Sequence, residues 1–286
     1  MIVVTAASGQ FGRLAVESLL NRGIAADTIR AVVRTPAKVA DLAARGVEVV
    51  QADYTQSETL VAAFQGAEKV LFVSTSGSDE ERLAQHLTVV PAAKTAGVGQ
   101  LVYTSIPQAQ TNPIRLAEVH KATETAIVES GLPHVFLRNN WYFENTTASI
   151  PAGVEHGALI GSAGEGRIGY ASRADFADAA AAVLTTDGHT GKTYELTGDV
   201  TYSQAEVAAE VAKQTGKEVG YVNLPQAEYE KALVGFGLPP FLAALLADAD
   251  VRISEGALAP ITDTLSTLIG RPTTTLAEAV AAALKG

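Results

Sequence analysis

Near the amino end the run Thr5-Ala6-Ala7-Ser8-Gly9-Gln10-Phe11-Gly12 sets two glycines three positions apart, between a short apolar stretch and a segment of helical period. A turn at the end of a strand and the start of a helix presents bare backbone N–H groups, backed by the positive end of the helix dipole, to an anion such as a pyrophosphate. Glycine is needed where a side chain would block that approach, and the last glycine lets helix and strand pack closely. Gly9 and Gly12 supply this spacing. Ala6 stands where a first glycine is usual, so one turn position must tolerate a methyl group. The chemistry this run suits is dinucleotide binding. An ordinary tight turn is the plainer alternative, and the flanking strand and helix favour the dinucleotide.

The end of the second strand, about twenty residues on, decides which dinucleotide fits, because a carboxylate there would accept hydrogen bonds from the ribose 2′-OH of NAD. This chain has Val32-Val33-Arg34-Thr35-Pro36-Ala37-Lys38 instead, with two cations and no carboxylate. A guanidinium fork matches a 2′-phosphate, so NADPH is the expected cofactor. Lys38 reads equally well as a solvated lysine. Ser74-Thr75-Ser76 and Tyr103-Thr104-Ser105 end the fourth and fifth strands, where small hydroxyls can approach a ribose or nicotinamide without crowding it.

Together with Gln51-Ala52-Asp53-Tyr54 and Leu137-Arg138-Asn139-Asn140-Trp141-Tyr142-Phe143-Glu144-Asn145, these stretches resemble the NmrA-like group of atypical short-chain dehydrogenases. Within that group they look most like its bacterial NADPH-dependent quinone oxidoreductases. Gly237-Leu238-Pro239, Ala247-Asp248-Ala249-Asp250 and the run from Leu268 to Leu276 agree, so the resemblance spans nearly the whole chain. It implies cofactor contacts from Ala6, Ala7, Ser8, Gly9, Gln10 and Phe11, from Arg34, from Ser74, Thr75 and Ser76, and from Arg138, Asn139 and Asn140. It also implies reduction of a small-molecule quinone by NADPH, with Asn145 near the reacting ring. The departure is Ala6, since the group usually begins this turn Thr-Gly-Ala-Thr-Gly.

Ordinary short-chain dehydrogenases pair a Tyr with a Lys four residues later, the cation lowering the phenol pKa for proton exchange with a carbonyl oxygen. None of the eight tyrosines, at 54, 103, 142, 170, 194, 202, 221 and 229, has a Lys at that offset. A quinone tolerates this loss. It is already electrophilic, and the hydroquinone anion is delocalised and readily protonated, so the protein has mainly to stack two rings and exclude water. Trp141, Tyr142 and Phe143 can form aromatic walls and Asn145 can donate its amide to the quinone oxygen, with core packing the alternative for the aromatics. His120 and Glu124, four apart on a helix, read as a surface pair in preference to a proton relay. Lys121 stands where related reductases place a catalytic lysine, but its neighbours do not match. Gly161-Ser162-Ala163-Gly164-Glu165-Gly166 reads as a hinge or a solvent-facing turn. No His and carboxylate cluster has metal-ligand spacing, so no metal is expected. A different class of function, a redox sensor that binds NADP without turnover and signals through a protein partner, uses the same cofactor turn. An epimerase or ether reductase is less well served by the missing pair.

The elements that must place these residues follow an α/β pattern. Strands are expected at Ile2–Thr5, Ile29–Val33, Val47–Gln51, Lys69–Ser74, Gln100–Thr104 and His134–Arg138. Helices are expected at Gln10–Asn21, Ser57–Phe64, Arg82–Ala96, Ala174–Leu184, Gln204–Thr215 and Leu276–Leu284, with Pro91 kinking or breaking the third. The expected fold is a Rossmann-like, doubly wound parallel sheet with a smaller C-terminal substrate lobe. The domains are read as 1–150 for NADP and 151–286 for substrate, a late strand near 192–196 rejoining the sheet. A balance of 21 basic against 31 acidic residues, net −10, argues against nucleic acid. No apolar stretch suits a membrane, the first residues lack a signal pattern, and a cytoplasmic protein is expected.

Overall fold

The Val- and Ile-rich runs form strands in the computed structural model, which describes residues 1–285. These are β1 (Ile2–Val4), β2 (Ile29–Val33), β3 (Glu48–Gln51), β4 (Lys69–Phe72), β5 (Gln100–Ser105) and β6 (His134–Asn139). They lie in the order β3-β2-β1-β4-β5-β6, and the seventh strand, Thr193–Leu196, lies beside β6. The pairings of neighbours among the six are parallel, with Val3 of β1 opposite both Arg30 of β2 and Val70 of β4. The seventh strand runs the same way, since Phe136 N–H donates to Lys192 O at 3.0 Å and Asn140 N–H to Leu196 O at 2.9 Å. Every residue of β5 is buried, which is why such strands read as continuous rather than alternating apolar runs. The order reverses at β1, and in an open α/β sheet the crevice beyond the strand ends at that reversal is where ligands bind.

The chain divides into two units. The first holds Met1–Ala109, Val119–Asn139 and Arg173–Tyr194; the second holds Gln110–Glu118, Asn140–Ser172 and the chain from Glu195 onward. A single boundary at 150, as the sequence suggests, would leave helix Arg173–Thr185 out of the first unit. That helix returns because its Ala179-Ala180-Ala181-Ala182 run is buried and small enough for close approach. It packs on α1 (Gln10–Asn21), where Ser18 Oγ donates to Asp178 Oδ1 at 2.7 Å.

In the first unit α1 is followed by α2 (Ala40–Ala44), α3 (Ser57–Phe64), α4 (Asp79–Thr95) and the major part of α5 (Leu116–Ser130). The start of α4 lies three residues before the expected one, because Ser78 and Glu81 form a reciprocal capping box. Pro91 lies inside this helix without ending it. Its missing N–H would have bonded the carbonyl of Leu87, an exposed residue.

The second unit has its own core, in which Trp141, Phe143, Ile150, Tyr170, Val211 and Ile253 pack together. Helices Gln204–Thr215 and Leu276–Ala283 begin with capping boxes, Ser203 with Glu206 and Thr275 with Glu278. Among the described residues no helix is long and apolar enough to cross a membrane.

A buried carboxyl group, Asp250, accepts the Ser162 N–H at 2.7 Å and the Gln204 amide at 3.3 Å. Burial outweighs the Ser162 bond and pushes its pKa up to about 6. The folded state therefore holds this proton more tightly than the unfolded chain, and stability falls as pH rises from about 4 to about 6. Asp250→Asn removes the buried charge. Its thermal midpoint is expected above that of the parent at about pH 8, with the gap closing towards about pH 4, in melts recorded across that range.

Candidate functional site

A groove of about 500 Å³ lies in the first unit at the carboxyl ends of its strands. The turn after β1 contributes Ala6 and Ser8 to Gly12, and β2 contributes Val32 and Val33, with Arg34 and Lys38 just beyond it. Ala52, Asp53 and Tyr54 follow β3, and Val73 to Ser76 follow β4. Gln85 of α4 and Arg173 complete the lining.

The turn is built from missing atoms. A Cβ on Gly12 would stand 2.5 Å from the Ala6 carbonyl oxygen and 2.9 Å from that of Thr5, so only glycine lets α1 begin against the strand end. Ala6 itself has φ +50°, the left-handed region that costs an L-residue roughly 1–2 kcal/mol. The methyl group is tolerated, as expected, but in a backbone state that suits glycine. The amino end of α1 is left open. Its N-cap is Gly9, with no side-chain cap and no acidic residue in the first turn, unlike the three helices with capping boxes. Such an end attracts an anion.

A polar stitch holds β1 and β4 apart at the correct spacing beneath the turn. Thr5 Oγ1 donates to Leu71 O and accepts the Val73 N–H, each at 3.0 Å. The Tyr54 hydroxyl lies against Thr5 Oγ1 and is 3.0 Å from the Val73 carbonyl. Burial pushes the Tyr54 phenol pKa up, so it remains a hydrogen-bond donor. Further along the groove, Arg34 and Lys38 face the same space as Asp53. The Asp53 carboxyl is held low by the N–H and hydroxyl of Thr55, both at 2.8 Å, and by the Arg34 charge.

Of the residues expected to meet a cofactor, the structure brings Ala6, Ser8, Gly9, Gln10, Phe11, Arg34, Ser74, Thr75 and Ser76 to this groove. Ala7 is fully buried and its N–H donates to Val32 O at 3.1 Å, so it braces the turn from behind. Arg138 does not line the groove. Its guanidinium forks onto Glu124, with Nε to Oε1 at 2.9 Å and Nη2 to Oε2 at 2.7 Å. Ser105 Oγ donates to the same Oε1 at 2.7 Å. Asn139 is buried at the end of β6.

The remaining candidates belong to the second unit. The Asn140 amide donates to Leu258 O and accepts the Trp141 N–H. Phe143 is 1% exposed and stacks on Tyr170 with centroids 5.0 Å apart, so it is a core residue rather than an open wall. Trp141 is also buried, Tyr142 is half-buried and Asn145 is exposed on the short helix α6 (Phe143–Thr147).

The surface pair His120 and Glu124 is a correction. Both are buried, and each turns to a different partner: Glu124 to Arg138, His120 to Tyr103 and Arg82. Lys121 is exposed. The glycine-rich run at 161–166 is pinned, Ser162 N–H on Asp250, Ala163 N–H on Tyr221 and Gly164 N–H on Asn223. Sequence reasoning missed Gln85 and Arg173 as groove residues. Nothing local marks them, because only the packing of their helices carries them there.

A protein family described as NAD(P)H-binding matches residues 6–187 of this chain. Quinone oxidoreductase 2 of Escherichia coli (strain K12) is 49% identical over 280 residues, covering 98% of this chain and 97% of that protein. The crystal structure of the NADPH-dependent quinone oxidoreductase QOR2 from Escherichia coli, complexed with NADPH, superposes with a TM-score of 0.96 at 48% identity, covering 99% and 100% of the two chains. The triphenylmethane reductase of Citrobacter sp., complexed with NADP(H), does so at 0.94 and 38% identity, covering 99% and 100%.

Two substitutions test the turn in opposite directions. Ala6→Gly relieves the left-handed backbone and is expected to raise unfolding free energy by up to about 1 kcal/mol, the gain being trimmed by glycine's entropy in the unfolded chain. Gly12→Ala drives a methyl group into two carbonyls and is expected to lower it by about 1–3 kcal/mol. Urea unfolding of both variants beside the parent reads the difference.

Proposed function

This chain belongs to the NAD(P)H-binding family, and from that premise we propose that it reduces quinones to hydroquinones with NADPH, two electrons at a time, by direct hydride transfer. The observation that carries the reading is the coincidence, in one groove, of an uncapped helix start and the two cations Arg34 and Lys38. The first suits a pyrophosphate and the second a 2′-phosphate. End-to-end likeness to quinone oxidoreductase 2 supports the choice of substrate.

The residues present fit the cofactor. Gly12 lets α1 begin against the strand end so that its free N–H groups reach the groove, and the first turn of that helix carries no carboxylate to repel a phosphate. Arg34 offers a planar fork to a phosphoryl group, which an aspartate in its place would repel. Ser74, Thr75 and Ser76 border the groove beyond β4, where they can meet a ribose or carboxamide, the Thr75 hydroxyl itself standing 3.2 Å from His86 Nε2. NADPH, when bound, supplies the hydride.

Overall the quinone takes a hydride and a proton and leaves as hydroquinone. No Tyr and Lys pair is needed, because the anion formed on hydride addition is spread over the ring and oxygens and takes its proton from water or a nearby donor. Within the aromatic segment Phe143 is committed to the core, so Tyr142 and Asn145 have the surface to meet a substrate. In this reading the Asn145 amide donates to the quinone oxygen, with Trp141 and Tyr142 as its aromatic neighbours. A cytoplasmic location is part of the same proposal.

The assay mixes protein, NADPH and a small benzoquinone and follows loss of NADPH absorbance. Turnover above the spontaneous rate is expected, and its absence would refute the reaction. Arg34→Ala is expected to raise the KM for NADPH by roughly ten- to a hundredfold, the range of a lost charged hydrogen bond, while leaving that for NADH nearly unchanged. Asn145→Ala is expected to lower kcat without altering NADPH affinity; a normal kcat would remove it from the site.

A further inference from the structure

After β4 the chain runs from Val73 to Gly77 without regular structure, and three of its residues, Ser74, Thr75 and Ser76, form one wall of the groove. No neighbouring strand bonds this stretch. Side chains do so instead. Val73 N–H goes to Thr5 Oγ1 at 3.0 Å and Ser74 N–H to Thr104 Oγ1 at 2.9 Å. Thr75 is held from both sides of its peptide: its N–H meets His86 Nε2 at 3.1 Å and its carbonyl accepts Arg82 Nε at 2.9 Å.

These two side chains come from α4 and are among the most deeply buried polar groups of the first unit, His86 at 0% and Arg82 at 3% exposure. A buried histidine or arginine on a helix face needs a reason, since its transfer from water costs free energy unless every polar atom is matched. The hydrogen-bond chain assigns the histidine's protons. A backbone N–H can only donate, so Nε2 of His86 carries a lone pair and its proton is on Nδ1. That proton faces Thr123 Oγ1 at 2.9 Å, whose own hydrogen goes to Val119 O at 2.7 Å. Arg82 donates onward to His120 Nε2 at 3.3 Å, and His120 Nδ1 stands 2.8 Å from the Tyr103 hydroxyl. Asp79 Oδ1, 3.8 Å from Arg82 Nη1, supplies the counter-charge. Burial first, and the Arg82 charge second, push His86 down to about 3, so it remains a neutral acceptor.

We propose that His86 and Arg82 are positioning residues for the cofactor, holding Thr75 by both of its backbone polar groups and so fixing the Ser74–Ser76 wall of the groove. The proposal rests on the reading that this groove takes NADPH. Neither side chain lines the groove; both act through Thr75. Because Thr75 lies beyond β4 and Arg34 beyond β2, loss of the clamp weakens NADPH and NADH alike, whereas loss of Arg34 discriminates between them.

Two variants and one measurement on the parent test this. His86→Leu keeps bulk but removes the acceptor. It is expected to raise Kd for NADPH and for NADH by the same factor, roughly tenfold, the effect of one orphaned buried donor, with a smaller effect on kcat. His86→Gln can return a carbonyl oxygen to the Nε2 position and is expected to restore affinity to within about threefold of the parent. Equal affinity in parent and His86→Leu, or equal weakening by Leu and Gln, would overturn the positioning role. In the parent, long-range 1H–15N correlation is expected to show His86 as the neutral Nδ1–H tautomer from about pH 5 to about pH 8, with a protected Thr75 amide. An Nε2–H tautomer, or titration in that window, would overturn the clamp even if the variants failed to fold. A parent that binds no NADPH would instead overturn the cofactor reading, and the tautomer would still decide the clamp.

Discussion

The amino end of α1 lies almost against the carbonyls of Thr5 and Ala6, and the first unit is arranged around that approach. A side chain on Gly12 would push the helix away from the strand end, since its Cβ would fall 2.5 Å from an oxygen that real contacts keep beyond 3.0 Å. Without that closeness the uncapped N–H groups would not open into the reversal point of the sheet. The strain is carried by Ala6, whose φ of +50° keeps its carbonyl where Gly9 N–H can reach it at 2.8 Å. One tight backbone contact thus links strand order, helix placement and the anion site.

Around this contact the interior of the first unit is unusually polar. Arg82, His86, His120, Glu124 and Arg138 are all buried or nearly so, yet they are not scattered. Each charge has an opposite or polar group beside it, although Arg82 Nη1 stands 3.8 Å from Asp79 Oδ1 without a hydrogen bond. Arg138 and Glu124 form a fork completed by Ser105, while Arg82 is surrounded by a carbonyl, a neutral imidazole and a carboxylate. Groups of this kind contribute little net stability compared with an apolar core, and breaking one leaves an uncompensated charge. What they supply is definition. They fix the carboxyl ends of β4 and β5, where the chain has left the sheet ladder and backbone bonds can no longer do so.

The strands and most helices were legible because burial imposes period. A parallel strand buried on both faces must be a short apolar run, and α1 needs its apolar residues at helical spacing on one face, so Ile29–Val33 and Gln10–Asn21 can be read to the residue. The groove was legible for the same reason, since β1, β2 and β4 fix where Gly9, Arg34 and Ser74 must meet. What local pattern could not supply was direction for polar side chains. His120 and Glu124 sit at surface-like spacing on α5, and their partners Tyr103, Arg82 and Arg138 come from three other elements. Arg173 was invisible because its helix returns from beyond the second unit's first long segment. Of the two outcomes expected at Pro91, a kink or a break, the unbroken helix Asp79–Thr95 excludes the break.

The placement of acid and base in the groove bears on cofactor choice more sharply than a cation alone. The carboxylate that would select NAD stands at the end of β2 in such folds. Here the acid is at the end of β3, and Thr55 takes up Asp53 through an N–H and a hydroxyl. Those bonds, both to Oδ1, and the Arg34 charge keep Asp53 ionised and commit one of its two oxygens to its own loop. The guanidinium is thereby left at the β2 end with its fork uncovered by a local carboxylate. Arg34 and Lys38 share the groove with this one carboxylate, and a guanidinium fork matches a phosphoryl group better than a hydroxyl. Where the negative charge is anchored therefore bears on cofactor choice as much as where the positive one stands.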